Sequence, residues 1–361
     1  MIQEICDCLE KQFQYPREKY ETLRNLPTLS PDRKVWEQAF QEFLASRDAI
    51  PEDTALQKKW VEMYQALLAR FQRIGWYGEA MPDGIEREEN PPFYRSPKDK
   101  ARMAYIPPGA FILGSDPKQD SQANTNETQY KEVNLDGYYM DTTPVTIGQY
   151  ARFMEDSAYR GYLAQALEQG GLPEDRDYIF VWRDLGKIYN RKFSGFRELC
   201  KILQDGPEWW KEPNHAPQGW KCDENHPVVG ITWWEALGFA LWSGKTLPSE
   251  AQWEKAAKGG KKIPVWKEGE CRWEKNFHRI YTWGNKWEEN KINCAETGIR
   301  QTSSVEDTRF DSALSAYGCK DMLGNVWEWC QDWYDENFYK TIKEKNPVCI
   351  KKSSFRVCRG G

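Results

Sequence analysis

Apolar residues in the N-terminal part of the chain recur at helical spacing. Trp36, Phe40, Phe43 and Leu44 fall on one helix face, and Ser30-Pro31 ahead of them reads as an N-cap with proline at the first helical position. A second start at Pro51-Glu52-Asp53 leads into Leu56, Trp60, Met63, Tyr64, Leu67, Leu68, Phe71 and Ile74, with Lys58, Lys59, Glu62 and Arg70 at the polar positions. Two amphipathic helices this close in sequence predict an α-hairpin. Residues 1–80 are therefore expected to form a helical N-terminal module, either a cap on the main domain or a device that recruits a partner. Breakers then dominate, from Gly75-Trp76-Tyr77-Gly78 through Asn90-Pro91-Pro92 to Ser96-Pro97, and residues 81–100 read as a linker.

Beyond the linker the pattern changes to short strands, turns and isolated helices. Ala110–Leu113, Glu132–Leu135 and Gly137–Met140 read as strands, and a helix is expected from about Thr146 through Tyr150 and Phe153. Thr232-x-x-Glu235 makes a capping box for a helix that runs through Phe239 and Trp242 to Gly244, a glycine suited to a left-handed cap. Pro248-Ser249-Glu250 opens another helix, which ends at Gly259-Gly260. Residues 155–225 are polar, rich in Trp and carry no assignable period. The sum is an α+β architecture with much irregular structure.

Charge and composition narrow the function classes. The 361 residues carry a net charge of −5 with no block of Lys or Arg, which argues against nucleic acid or an anionic membrane as the main partner. Mean hydropathy is −0.83, and no apolar run approaches the length of a membrane span. The sequence Met1-Ile2-Gln3-Glu4-Ile5-Cys6 has neither a basic n-region nor an apolar h-region, so a cytoplasmic protein with reduced thiols is expected. The ten cysteines show no framework spacing, and Cys6-x-Cys8 alone is a weak metal signal. Three histidines leave little for a His-rich site, whereas eighteen Trp, each with an N–H to satisfy when buried, point to polar-laced packing.

Seven segments then fall in a telling order. They are Ile106-Pro107-Pro108-Gly109-Ala110-Phe111-Ile112-Leu113-Gly114-Ser115; Asp141-Thr142-Thr143-Pro144-Val145-Thr146; His226-Pro227-Val228-Val229-Gly230-Ile231-Thr232-Trp233-Trp234-Glu235-Ala236; Leu247-Pro248-Ser249-Glu250-Ala251-Gln252-Trp253-Glu254-Lys255-Ala256-Ala257; Tyr281-Thr282-Trp283-Gly284-Asn285; Gly324-Asn325-Val326-Trp327-Glu328-Trp329; and Arg359-Gly360-Gly361. Together they make residues 101–361 resemble the formylglycine-generating-enzyme, or sulfatase-modifying factor, family. The resemblance implies a C-type-lectin-like fold that sets variable loops on a rigid scaffold. It also implies Ca²⁺ in a structural role, held by Asn293 with Asp307 and by Asn325 with Glu328, helped by backbone carbonyls. Hydrogen bonding to backbone, with no ion, is the competing explanation for Asn325 and Glu328.

The same resemblance places the family's catalytic chemistry after Arg359-Gly360-Gly361, in a C-x-x-x-x-C pair whose thiolates bind copper(I). No cysteine pair in this sequence has that spacing, and Cys319, Cys330, Cys349 and Cys358 read as small buried packing residues. The iron route of the related sulfoxide synthases needs histidines from an N-terminal bundle, and none occurs before His215. His226 reads as a structural hydrogen-bonding group. The chain is thus expected to be a non-catalytic recognition or regulatory protein. Its ligand would lie at the C-terminal face of the lectin-like domain, as in retroelement-diversified variable proteins, and its N-terminal helices would dock a protein partner. The alternative is a copper-dependent oxidase that converts a protein cysteine to formylglycine, with its cysteine pair beyond Gly361.

Overall fold

The computed structural model of the chain describes residues 2–26, 33–49, 53–88, 92–120, 123, 127, 130–171, 178–184, 187–192, 223–268 and 270–361. They divide into two compact units, Met1–Tyr94 and Arg95–Gly361.

The first unit is helical: α1 (Ile2–Lys11), α2 (Glu21–Asn25), α3 (Arg33–Ala45) and α4 (Thr54–Gln72). Asp53 caps α4, its carboxylate accepting from the Ala55 and Leu56 amides at 2.8 and 3.1 Å. The stripes read from the sequence meet in one cluster, with Trp36, Phe43, Trp60 and Leu67 buried. Phe43 stacks on Trp60 at 5.2 Å, and the Trp60 indole N–H donates to Ser46 Oγ at 3.0 Å. The α3–α4 pair is not alone, however. Ile5, Cys6, Cys8 and Leu9 of α1 and Leu23 of α2 join the same core, so a hairpin understates the unit. Cys6 and Cys8 are packing groups there, and burial pushes the Cys6 thiol up to about 11. The caps expected at Ser30-Pro31 and at Pro51-Glu52 lie outside the described residues. The stretch read as a linker holds the short strands β1 (Glu86–Arg87) and β2 (Phe93–Arg95). It also buries Tyr94, whose hydroxyl donates to Glu79 and accepts from the Trp76 amide at 2.7 Å.

The second unit is α+β, built from small antiparallel ladders and short helices. Strand β3 (Arg102–Ile106) pairs with β6 (Tyr138–Asp141), and β4 (Gly109–Leu113) pairs with β5 (Lys131–Leu135). Helices α5 (Ile147–Glu155) and α6 (Tyr159–Gly170) follow, then a hairpin of β7 (Tyr178–Asp184) and β8 (Lys187–Lys192) inside the stretch that the sequence left unassigned. Next come α7 (Trp233–Trp242), α8 (Glu250–Lys258) and the hairpin β9 (Lys262–Lys267) with β10 (Glu270–Lys275). Strands β11 (Trp327–Trp333) and β12 (Arg356–Gly360) pair across the short helix α9 (Phe338–Thr341).

Local sequence sets the helix starts. Thr146, Thr232 and Ser249 each accept from the amide three residues on, while Gln149, Glu235 and Gln252 reach back to the cap amide. Gly244, with φ +76°, closes the turn after α7. Helices α6 and α7 pack so closely that a Cβ on Gly238 would lie 2.8 Å from the Leu163 side chain. Around them Leu167, Trp233 and Leu237 form one buried cluster, and Tyr150, Phe153, Phe239 and Trp242 another.

Candidate functional site

The chemistry-bearing residues of the second unit gather where α8 meets β11 and β12. Arg359 on β12 reaches Glu250 Oε1 at 3.2 Å and Glu254 Oε2 at 2.8 Å, both on α8. The other Glu254 oxygen accepts from the Gly114 amide at 2.8 Å and from Lys258 Nζ at 3.0 Å. Burial pushes the Glu254 carboxyl up, but Lys258 and Arg359 outweigh it and hold the group below its ordinary range. Glu250 is less well compensated: burial, reinforced by Glu254 and Asp332 against Arg359, leaves it at about 7. Burial also works against the charge on Arg359, and the two glutamates overcome it. The next residue along α8, Lys255, is 1% exposed and donates to the carbonyls of Pro107 and Gly109, at 2.7 and 3.0 Å. Burial lowers its pKa to about 8.

Arg356, at the start of β12, lies between two indoles, 3.6 Å from the Trp233 ring centre and 3.4 Å from that of Trp333. It donates to the carbonyls of Gln331 and Gly170. The β11–β12 hairpin is thus clamped at one end by stacking on α7 and at the other by ion pairs to α8.

Beside the ion pairs sits a second polar group. Trp253 Nε1 donates to Glu328 Oε2 at 3.4 Å, and Glu328 Oε1 is buried with no hydrogen-bond partner. Burial, with a contribution from Asp321, raises Glu328 to about 8. Asn325, at φ +63°, accepts from the Ser303 amide at 2.9 Å and from Asn293 Nδ2 at 3.4 Å, and donates to Asp321 Oδ2 at 3.0 Å. Asp321 is itself raised to about 6, chiefly by burial. Gly324 permits this turn, because a Cβ there would lie 2.5 Å from the Asn293 carbonyl oxygen.

The four residues expected to hold Ca²⁺ are therefore grouped differently from the expectation. Asn293 meets Asn325, whereas Asp307 is engaged by Arg309, which contacts both of its oxygens and holds the carboxyl below its ordinary range. The carbonyl of Asp307 takes Lys320 Nζ at 2.7 Å. Asp321, which the sequence reading missed, joins the Asn325 end; its one signal was a carboxylate four residues ahead of Asn325. No cluster of three or more His, Cys, Asp or Glu side chains suited to a metal exists among the described residues. A cation at this end would draw on Glu328 Oε1 with amide and backbone oxygens, a hard-oxygen set that suits Ca²⁺ better than a transition metal.

Three thiols near the hairpin are buried, whereas Cys358 on β12, expected to be buried, is only half-buried. Cys319 and Cys330 are fully buried and Cys349 is 4% exposed. Burial pushes Cys319 up to about 12 and Cys358 to about 11. His226 is buried with Nδ1 3.0 Å from Thr302 Oγ1, and its carbonyl accepts from the Ile147 amide at 2.9 Å.

Comparison with known proteins agrees with the order of these segments. The family described as "Sulfatase-modifying factor enzyme 1-like domain" matches residues 89–361. The formylglycine-generating enzyme of Mus musculus is 28% identical over 303 residues, covering 80% of this chain and 74% of that protein. The serine/threonine-protein kinase Pkn1 of Chlamydia trachomatis is 30% identical over 299 residues, which cover 82% of this chain but 37% of that protein. Among solved structures, PvdO from Pseudomonas aeruginosa covers 76% of this chain and 86% of its own, with a TM-score of 0.44 and 18% identity.

Proposed function

This chain belongs to the sulfatase-modifying factor enzyme 1-like family, and within that family we propose that it is a non-catalytic recognition or regulatory protein. In this reading the formylglycine-generating-enzyme-like unit binds a protein or small ligand, and the helical N-terminal unit docks a protein partner. The observation that carries it is the state of the thiols around β11 and β12. Cys319, Cys330 and Cys349 are buried and Cys358 on β12 is half-buried, and burial pushes each thiol up, which disfavours the thiolate that copper(I) takes. The charged groups beside them, Arg359 with Glu250 and Glu254, pair with one another and serve to stiffen a scaffold.

Calcium has a structural part in this proposal. It would sit at Asn325 and Glu328, with the unpartnered Glu328 oxygen as its charged ligand, and would remove the cost of burying that carboxylate.

A second reading, a copper-dependent oxidase of protein cysteine with its thiol pair beyond Gly361, draws on the likeness to the mouse enzyme. Copper(I) titration of the intact natural protein, followed by a hydrazide assay for aldehyde on a cysteine peptide, separates the two. The proposal expects neither tight copper(I) binding nor aldehyde. Tight binding together with aldehyde formation would replace it with the oxidase.

A further inference from the structure

The segment that leads into β12 combines exposed apolar side chains with an excess of basic residues. Between residues 340 and 355, Lys340, Lys343, Lys345, Lys351 and Lys352 stand against Glu344 alone, in a protein of net −5. At its tip, Ile350 is 82% exposed and Phe355 63% exposed, and they flank Lys351-Lys352. Two bulky apolar side chains left in water within six residues are more than the scattered exposure of an ordinary surface.

The loop is tied at both ends. The Cys349 amide donates to Asp332 at 2.7 Å, and its carbonyl accepts from the Trp333 amide at 3.0 Å. The Phe355 carbonyl accepts from the Tyr334 amide at 2.9 Å, and its amide donates to Ser353 Oγ at 3.3 Å. The Arg356 clamp follows at once. Ile350 and Phe355 are therefore presented from fixed backbone, and a partner that covers them loses little loop entropy.

We propose that this loop is a docking site for an acidic protein segment in which Asp or Glu alternates with aliphatic or aromatic residues. The apolar pair would take its apolar side chains and Lys351 and Lys352 its carboxylates. The charges at the rim decide between such a segment and an anionic lipid surface. Asp335 lies 3.1 Å from Lys351, Asp136 lies 3.1 Å from Lys345, and Glu336 is exposed beside them. A uniformly negative bilayer repels these carboxylates, whereas a peptide can place its own charges around them. Lys352 shows no ion pair to a carboxylate among the described residues, and its ammonium end lies against Gly171. The proposal rests on the recognition reading above and names its site and partner class.

Fluorescence anisotropy on the full chain provides the test. The probes are a set of short synthetic peptides alternating Leu or Phe with Asp and Glu, with phosphatidylserine–phosphatidylcholine vesicles run in parallel. Binding is expected to weaken about tenfold or more in Ile350→Ser/Phe355→Ser and in Lys351→Glu/Lys352→Glu, and to weaken with added salt. These side chains are exposed, so both variants should keep the parent melting temperature, which is checked first. Binding that neither variant changes would overturn the site while leaving recognition elsewhere on the unit intact. Vesicle binding with silent peptides, or silence from both probes, would also overturn it.

Discussion

One oxygen of Glu328 has no hydrogen-bond partner, and burial raises the group from 4.5 to about 8. The folded protein therefore keeps a proton that the unfolded chain releases. The stability this contributes is complete below about pH 4.5 and is lost as pH rises toward 8, with Asp321, raised to about 6, adding to the lower part of the fall. Without calcium, thermal unfolding followed by fluorescence should show a melting temperature that declines across this window, by the equivalent of roughly a few kcal/mol. Glu250, raised to about 7, falls in the same window, so Glu328→Gln should remove only part of the decline, chiefly its upper end near pH 8. Calcium should raise the melting temperature of the parent at pH 8, and much less that of Glu328→Gln. A parent indifferent to calcium and chelator alike would remove Glu328 as a cation ligand. The residue scale also shows which contacts these side chains make among the described residues. Asn293 and Asp307 are near in sequence, but the hydrogen bond that forms joins Asn293 to Asn325, and Arg309 supplies the countercharge for Asp307. Spacing alone registers neither choice.

At the scale of elements, the joint between α8 and β12 depends on one buried cation. Arg359→Ala would leave Glu250 and Glu254 without their shared cation, Lys258 still pairing Glu254, and a broken buried pair of this kind costs about 3–5 kcal/mol. Arg359→Lys keeps the charge but cannot span both carboxylates, so an intermediate loss is expected. Urea unfolding measures both, and a loss below about 1 kcal/mol for the alanine variant would show that the joint is held by packing instead. Helix starts at Thr146, Thr232 and Ser249 were legible because a cap and its helix lie within four residues of each other. The Arg359 joint was not legible, since its partners are more than a hundred positions apart and no local period records them. The helices α1 and α2 escaped for a related reason. They are short, and only the core supplied by α3 and α4 makes them worth forming.

For the whole molecule, the two units each bury their own thiols: Cys6 and Cys8 in the first, Cys319, Cys330 and Cys349 in the second. Native protein treated with a thiol reagent near pH 8 should leave all five unmodified, while denaturant should release them in step with the unit that holds them. Mass spectrometry of labelled peptides then yields one midpoint per unit. Labelling of Cys319 or Cys330 under native conditions would mean that the second core opens far more readily than its packing indicates. The α+β character of the second unit was legible from its short alternating segments, and its membership of the family from the order of its motifs. The hairpin of β7 and β8 was not, because the flanking sequence carries no period to mark it. The joint between Arg359, Glu250 and Glu254 has a consequence for how such a chain can change over generations. Losing the arginine first strands two acids, and losing an acid first strands the arginine, so a lineage that abandons the joint must pass through a crippled ancestor or change several codons at once. An alignment of relatives should therefore show these three positions kept together or replaced together.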